Sequence, residues 1–324
     1  MFSLSKKKKE LNISEILRGK LVCQECGKSF SLEKIPPFTL SKCPYCQDYN
    51  FIPKLVRGYC IFKPLGGGGT GCVYKAYDLE KKQYVAIKML QEIEINKDEA
   101  VFSRFLREYA IGRKVSTHPN FCKTYDFFEL DSYNYMVLEF IEGNRLDKII
   151  SPEGLPEVKL VVLWGLQILS ALQHMYTFDY LYRDLKPQNI LITDKEKNVK
   201  IIDFGLSCKK QETGIKTGII EGSPEFNITP ERSNFDVEDM YSEIYGLGML
   251  MYFCLTGNPF YRTSTVKELV NLHNKPLRVS DLSQKMAQIH PELVVVIDRM
   301  IKNNPSERFQ TYKGAYQALE AVKL

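Results

Sequence analysis

Residues 182–189 read Tyr-Arg-Asp-Leu-Lys-Pro-Gln-Asn, and after twelve further residues positions 202–205 read Ile-Asp-Phe-Gly. The two segments together hold two carboxylates, a lysine and an asparagine amide. Each side chain has an ordinary explanation when it is taken alone: Asp203, for example, is of a residue type that often forms turns. The meaning of these segments therefore depends on the sequence that precedes them.

Upstream, residues 65–73 read Leu-Gly-Gly-Gly-Gly-Thr-Gly-Cys-Val and contain the spacing G-x-G-x-x-G-x-V at Gly66, Gly68, Gly71 and Val73. Glycine lets the backbone approach phosphate oxygens and offers N–H groups without a blocking Cβ. A glycine cluster alone also suits a flexible turn. Here it falls between two predicted strands rather than between a strand and a helix, which disfavours a dinucleotide-binding fold.

A lysine and a glutamate follow in elements of predicted type. Residues 84–88, Tyr-Val-Ala-Ile-Lys, predict a strand that carries Lys88, and Glu108 falls in a predicted amphipathic helix over 99–115. Lysine is a mobile point charge suited to phosphate oxygens, and a carboxylate partner would hold it in place. Taken singly, the lysine would be a surface residue and the glutamate a solvated helix acid.

These five motifs stand in one order and at suitable spacing, which makes coincidence negligible. In this the chain resembles the eukaryotic-type serine/threonine protein kinases, over most of the sequence from Gly66 to Arg308. The resemblance implies an α+β fold, bilobal, with a β-rich N-lobe and an α-rich C-lobe. It also implies a phosphotransferase that uses ATP and Mg²⁺.

The resemblance assigns the reacting groups residue by residue. Lys88 would contact the α- and β-phosphates and pair with Glu108. Asp184 would accept the proton of the attacking hydroxyl, while Asn189 and Asp203 would hold Mg²⁺.

The resemblance also implies the nature of the acceptor and the walls of the nucleotide site. Lys186, two residues after Asp184, is the variant shared by family members that act on Ser and Thr, so a Ser/Thr hydroxyl of a protein is the expected acceptor. The glycines Gly66, Gly68 and Gly71 would contact the nucleotide. Leu138 would be the gatekeeper behind the adenine, and Glu139 and Ile141 would offer it backbone hydrogen bonds. Val73, Ala86 and Leu191 would pack around the adenine ring.

Three positions depart from the commonest family pattern. Tyr182 replaces a histidine that packs beneath Phe204, which we expect to be harmless. Glu243 stands where an aspartate normally holds the catalytic loop, and its extra methylene would loosen that loop. Gly112, four residues after Glu108, stands where a bulky apolar residue would complete a packed column; an alignment shifted by one residue would put Ile111 there instead.

The segment between Asp203 and Glu231 offers sites of regulation. Arg183, directly before Asp184, is the feature associated with activation by a phosphorylated loop, because a guanidinium can be pinned by phosphate. Among the hydroxyls of the segment we predict Thr217 or Thr213 as autophosphorylated regulatory sites. Glu231, in Thr-Pro-Glu, is expected to pair with Arg308, whereas Ser223 is expected to contact the catalytic aspartate and the substrate.

A separate motif lies near the start of the chain. Two C-x-x-C pairs, Cys23 with Cys26 and Cys43 with Cys46, are separated by sixteen residues. Four thiolates suit a closed tetrahedral structural Zn²⁺ site, and this spacing is a strong signal. The arrangement resembles a zinc ribbon, for which we expect a bracing or protein-contact role with an unknown partner.

We expect three parts: a basic head with a short helix over 1–20, a cysteine module over 21–50 that holds these four thiols, and the kinase domain over 57–324, with lobes at 57–141 and 142–324. The head carries +4 of the net charge of +5 and contains a run of four lysines. Such runs are usually solvated tails, and the remainder is close to neutral, so nucleic acid is not expected as a partner.

The composition excludes several other classes of protein. Of the 324 residues, 44% are hydrophobic and 26% charged, which permits a full core. No run approaches the ~18 apolar residues of a membrane span, and no apolar region of an export signal follows the basic head. The nine cysteines are not arranged as a disulfide framework, which favours a cytoplasmic location.

Two alternatives remain at this point. One is a catalytically weak pseudokinase scaffold that recruits partners through the zinc ribbon, supported by Glu243 and Gly112 alone. The other makes the ribbon a targeting module for nucleic acid, with the kinase as effector. The sequence names neither the protein substrate nor the activating signal.

Overall fold

A computed structural model describes residues 12–68, 71–91, 99–215, 219–263, 265–273, 286 and 290–324. The chain forms two compact units. The first consists of Met1–Asp98 with Tyr125–Phe140, and the second of Glu99–Thr124 with Ile141–Leu324.

The first unit begins with a small module of one helix and two hairpins. Asn12 caps helix α1 by accepting a hydrogen bond from the backbone N–H of Glu15, as the sequence predicts. Two antiparallel hairpins follow, formed by strands β1 to β4: Lys20–Val22 with Ser29–Ser31, and Leu40–Lys42 with Tyr49–Phe51. The helix itself spans Ile13–Leu17.

The rest of the first unit is one six-stranded sheet in the order β5-β6-β7-β8-β10-β9. Its strands in chain order are Lys54–Val56, Tyr59–Gly68, Gly71–Asp78, Gln83–Gln91, Thr124–Leu130 and Tyr133–Glu139. The predicted strands are present, but the fifth, β9, begins three residues later than the sequence pattern indicates. Phe121 instead forms a single parallel bridge to Ile201 and is fully buried in the core of the second unit.

The cysteine module packs directly on this sheet. The rings of Phe38 and Phe51, from the module, lie 5.3 and 6.0 Å from that of Tyr74 in β7. Cys60, in β6, is fully buried in the small core of the module. The sheet therefore supplies part of the module's core, which a segment this short could not complete by itself.

The second unit is mainly helical around one large core. Among the described residues of this unit, helices α2 to α9 are Glu99–Val115, Leu146–Ile149, Val158–Tyr176, Pro230–Ser233, Met240–Thr256, Val266–His273, Pro291–Met300 and Tyr312–Glu320. Helix α2 has the predicted bounds. Helix α6 (Met240–Thr256) is buried on almost every side, as its apolar sequence predicts.

Short strands carry the functional loops of this unit. β11, β13 and β14 form one small sheet, and β12 pairs with β15 in another. Their bounds are Gly143–Arg145, Ile190–Thr193, Val199–Ile201, Tyr180–Leu181 and Cys208–Lys209.

Helix α4 (Val158–Tyr176) is long and apolar enough to cross a membrane by length and composition alone. Half of its apolar window is buried inside the unit, and the core helix of a soluble protein passes the same test. The helix is therefore only weak evidence for a membrane span, and the expectation that the chain has no such span stays a prediction.

Candidate active site and metal centre

The described residues of the glycine-rich segment lie at the end of the β6–β7 hairpin, where Gly68 pairs with Gly71. Gly71 has φ +114°, and a Cβ there would lie 2.2 Å from the carbonyl oxygen of Met89. Gly66 faces open space. Only glycine therefore fits at position 71, whereas Gly66 leaves room beside the strand for a ligand.

The predicted nucleotide contacts of the first unit share one face of its sheet. Val73 pairs with Lys88, and Ala86 pairs with Leu138, across three neighbouring strands. Residues two apart on a strand point to the same side, so these four side chains form one surface. The opposite face carries the apolar core of the sheet. Glu139 ends β10 beside this surface.

Lys88 and Glu108 are both buried, at 4% and 3% exposure. They belong to different units, and the predicted ion pair between them stays a prediction. Within the second unit, Glu108 lies close to the 202–205 segment, because a Cβ on Gly205 would be 3.9 Å from its Oε2 atom. Ile141 and Leu191 also belong to the second unit, and their predicted contacts with adenine stay predictions.

Asp184 is buried, and three side chains donate hydrogen bonds to its carboxylate. Lys186 Nζ and Asn189 Nδ2 each lie 2.8 Å from Oδ2, and Asn227 Nδ2 lies 3.0 Å from Oδ1. The arrangement holds a carboxylate in one orientation in which it can accept a proton.

Asn227 is the member of this group that sequence reasoning missed. Its carbonyl oxygen accepts a hydrogen bond from the backbone N–H of Ser223, while its amide donates to Asp184. Ser223, the residue expected to contact the aspartate, binds Asn227 through its backbone N–H. The side-chain amide of Asn227 makes the contact with Asp184 instead, and no local sequence pattern around Asn227 indicates that role.

Asn189 and Asp203 lie at the same end of the hairpin that β13 and β14 form. Asn189 precedes β13, Asp203 comes two residues after the end of β14, and Ile190 pairs with Ile201. The backbone N–H of Ile202 donates to the carbonyl of Asn189 at 3.0 Å. A carboxylate and an amide oxygen are hard donors of the kind that Mg²⁺ prefers, so the donor set fits this ion.

Glu243 contacts the backbone of the catalytic loop, as is expected of an aspartate at this position. Its two carboxylate oxygens accept hydrogen bonds from the backbone N–H groups of Tyr182 and Arg183, at 3.0 and 2.8 Å. Burial raises the pKa of Glu243, an effect that these two N–H groups oppose. The longer side chain therefore still reaches both donors, and the expected loosening of the loop stays a prediction.

Tyr182 packs beneath Phe204 as expected. Its ring centroid lies 6.2 Å from that of Phe204 in an edge-to-face arrangement, and its hydroxyl donates to the carbonyl of Ile202 at 2.7 Å. Phe121 also contacts Phe204, with ring centroids 5.5 Å apart.

Gly112 of helix α2 lies beside Phe204. A Cβ at position 112 would lie 3.4 Å from the Phe204 ring but 2.3 Å from Thr124 Oγ1. Thr124 therefore fills the space in which a bulky residue was expected. Its hydroxyl oxygen is buried and has no hydrogen-bond partner among the described residues. Ile111 is buried in the large core to which Phe204 also belongs.

We expect Gly112→Ala to destabilise the protein by about 1–3 kcal/mol, because the new methyl group overpacks against Thr124. Thr124→Ala in the same chain should recover most of this loss, as measured by denaturant unfolding. Gly246→Ala is the matched control, since a Cβ there would meet nothing closer than 3.7 Å. Equal stability of the Gly112→Ala variant and the parent would contradict the prediction.

The segment after the 202–205 motif is anchored by buried ion pairs. The predicted pair of Glu231 and Arg308 is present, with two hydrogen bonds of 2.7 and 3.0 Å. Arg183 and Arg232 both donate to Glu238, which was not singled out from the sequence.

Of the two predicted regulatory threonines, the structure describes only Thr213. Thr217 lies outside the described residues. Thr213 is buried, donates to the carbonyl of Lys210 at 2.8 Å and accepts from the backbone N–H of Glu238 at 3.0 Å. Phosphorylation of Thr213 would require this segment to rearrange.

The four predicted zinc ligands come together in the first unit. The Sγ atoms of Cys23, Cys26, Cys43 and Cys46 all lie within 4.8 Å of one another, with two of the separations at 3.6 and 3.7 Å. A tetrahedral ion with metal–sulfur bonds of about 2.3 Å requires sulfur atoms about 3.8 Å apart. The cluster fits such an ion.

Both hairpin turns of the module have the same backbone pattern. The N–H groups of Cys23 and Cys43 donate to the carbonyls of Lys28 and Asp48, five residues further on. The matching turns present one pair of thiols each to a common point, which is what a four-thiolate site requires.

Residues 59–321 match the family model described as the protein kinase domain. The chain is 30% identical over 268 residues to a probable serine/threonine-protein kinase of Clostridium perfringens, a match that covers 82% of this chain and 38% of the relative. It is 36% identical over 218 residues to serine/threonine-protein kinase PrkC of Bacillus subtilis, covering 66% of this chain and 33% of the relative.

A third relative is serine/threonine-protein kinase PknB of Mycolicibacterium smegmatis, 30% identical over 260 residues, which cover 78% of this chain and 41% of the relative. The matches thus span only about 33 to 41% of the length of these relatives.

Proposed function

Because this chain belongs to the protein kinase domain family, we propose that it is an ATP- and Mg²⁺-dependent kinase that transfers the γ-phosphoryl group to Ser or Thr hydroxyls of proteins, including its own. The observation that carries the proposal is the geometry at Asp184. Its carboxylate is fixed by Lys186, Asn189 and Asn227.

Each reacting group has a task that its surroundings support. Asp184 accepts the proton of the attacking hydroxyl, and Lys186 beside it supplies positive charge at the site where negative charge develops. Lys88, on the same sheet face as Val73 and Ala86, binds the phosphates. Asn189 and Asp203 would hold Mg²⁺, which when bound neutralises charge on the phosphates.

The pseudokinase alternative is not favoured. Its two supports were Glu243 and Gly112. The first still holds the catalytic-loop backbone, and the space beside the second is filled by Thr124.

We further propose that the first module is a zinc ribbon with a structural Zn²⁺ on Cys23, Cys26, Cys43 and Cys46. Its packing against the sheet supports a bracing role. The division of the chain at about residue 57, the cytoplasmic location and the absence of a nucleic-acid partner also stay proposals.

The test is phosphate transfer from labelled ATP, with Mg²⁺ and a generic basic Ser/Thr substrate. We expect incorporation by the parent and a loss of about 10²-fold or more in the Lys88→Met variant. Lys81→Met, an exposed lysine in the β7–β8 turn, is the matched control. A folded, zinc-loaded parent that transfers no phosphate would contradict the proposal.

A further inference from the structure

We propose that Glu238 is a positioning residue for phosphoryl transfer: its carboxylate is a built-in counter-ion that holds Arg183, and through it Asp184, without a phosphate group on the segment between Asp203 and Glu231. The inference rests on the proposed kinase function and adds to it a statement about regulation.

Both carboxylate oxygens of Glu238 accept two hydrogen bonds each. Arg183 donates from Nε and Nη2 to its Oε1 atom at 3.1 and 2.7 Å. Arg232 donates from Nε and Nη2 to its Oε2 atom at 2.9 and 2.6 Å. Two guanidinium groups thus share one carboxylate, whose side chain is 2% exposed. A buried carboxylate with this many charge-assisted hydrogen bonds is strongly fixed.

Arg232 also reinforces the backbone before the catalytic base. Its Nη1 atom donates to the carbonyl of Arg183 at 3.0 Å. Glu238 therefore contacts the Arg183 side chain directly and, through Arg232, its main chain.

The backbone at Arg183 needs such support. Arg183 has φ +66°, in the left-handed region that a residue with a side chain rarely adopts. Strained backbone of this kind persists only where the surroundings impose it. Glu243 holds the N–H of Arg183, and Glu238 holds its guanidinium. The residue that follows is Asp184.

Each nitrogen of the Arg183 guanidinium already makes one contact. Its Nε and Nη2 atoms bind Glu238, and its Nη1 atom donates to Cys208 Sγ at 3.4 Å. A phosphate that bound the Nε and Nη2 atoms of Arg183 would have to displace this buried carboxylate. Thr213 is itself bonded to the backbone N–H of Glu238 and so helps to place the anion.

An acid inside the segment between Asp203 and Glu231 also pairs with an arginine. Arg104, on helix α2, donates to Glu221 at 2.6 Å, in a pair that is partly exposed. The segment is thus tied to helix α2 by one of its own carboxylates, and Glu238, seven residues beyond its end, holds Arg183.

The experiment compares the parent, before and after phosphatase treatment, with Glu238→Gln. The treated parent should keep at least half of its rate, whereas Glu238→Gln should lose about 10-fold or more in kcat, with little change in KM for ATP. Rates are expressed per nucleotide-binding site, to correct for inactive protein. Asp236→Asn, which removes a charge from an exposed side chain two residues away, should match the parent.

Anion rescue separates positioning from a general structural role. In Glu238→Ala, acetate can occupy the space between Arg183 and Arg232, and we expect it to restore a substantial part of the lost rate. Sodium chloride at the same ionic strength should not. Absence of rescue in a folded variant that binds ADP would overturn the inference, and so would inactivity of the phosphatase-treated parent.

Hydrogen exchange makes the inference testable apart from activity. Residues 182–186 should exchange their amide hydrogens faster in Glu238→Gln than in the parent, and equal exchange would overturn the inference. A parent that transfers no phosphate but shows this difference would contradict the proposed function alone. Should the Gln variant not fold, Glu238→Asp replaces it, and a rate and exchange equal to those of the parent would count against the inference.

Discussion

Asp184→Asn is expected to lower kcat by about 10²–10⁴-fold, the range that a general base supplies. The asparagine has one acceptor oxygen in place of two, so the donors Lys186, Asn189 and Asn227 cannot all be satisfied. The variant therefore loses both the base and part of the order around it. Nucleotide binding, measured by calorimetry, should change far less than the rate measured with labelled ATP.

Asp194→Asn is the control for this prediction, because Asp194 is exposed and its hydrogen bond from Asn144 Nδ2 is 3.3 Å long. It should keep the rate of the parent. A rate of Asp184→Asn within about threefold of the parent would show that the aspartate is not the base.

Loss of zinc is expected to unfold the cysteine module, since structural zinc supplies ~10–16 kcal/mol of apparent binding free energy in small domains of this kind. Cys43→Ser removes one of the two buried thiols of the cluster. The variant should bind no stoichiometric zinc and should expose the rings of Phe38 and Phe51, which pack on Tyr74.

Metal content by mass spectrometry and protease sensitivity of residues 21–50 would measure this effect. Cys72→Ser, which alters an exposed cysteine outside the cluster, should retain the metal. A Cys43→Ser variant with full zinc content would contradict the assignment of the ligands.

The elements with the strongest periodicity were predictable from the sequence. Helix α2 has the expected bounds because its apolar residues recur at helical spacing and nothing else competes for them. The start of β9 was wrong by three residues, because Phe121 is drawn into the core of the second unit. A tertiary contact of this kind leaves no trace in a local pattern.

The same limit applies to the site. The residues of known motifs could be assigned because order and spacing specify them. Asn227 and Glu238 could not, since their partners lie 43 and 55 positions away in the sequence. Glu243 was suspected of weakening the loop because a substitution alone does not show whether a longer side chain still reaches its donors.

The connection between the cysteine module and the sheet is too short to act as a flexible linker. β4 ends at Phe51 and β5 begins at Lys54, and the two residues between them, Ile52 and Pro53, are both buried. Modules on flexible linkers sample a volume, and a partner held by one of them has an effective concentration set by linker length. The two buried linker residues do not allow such movement. Any molecule that binds the cysteine module would therefore be held at one fixed distance and orientation from the sheet.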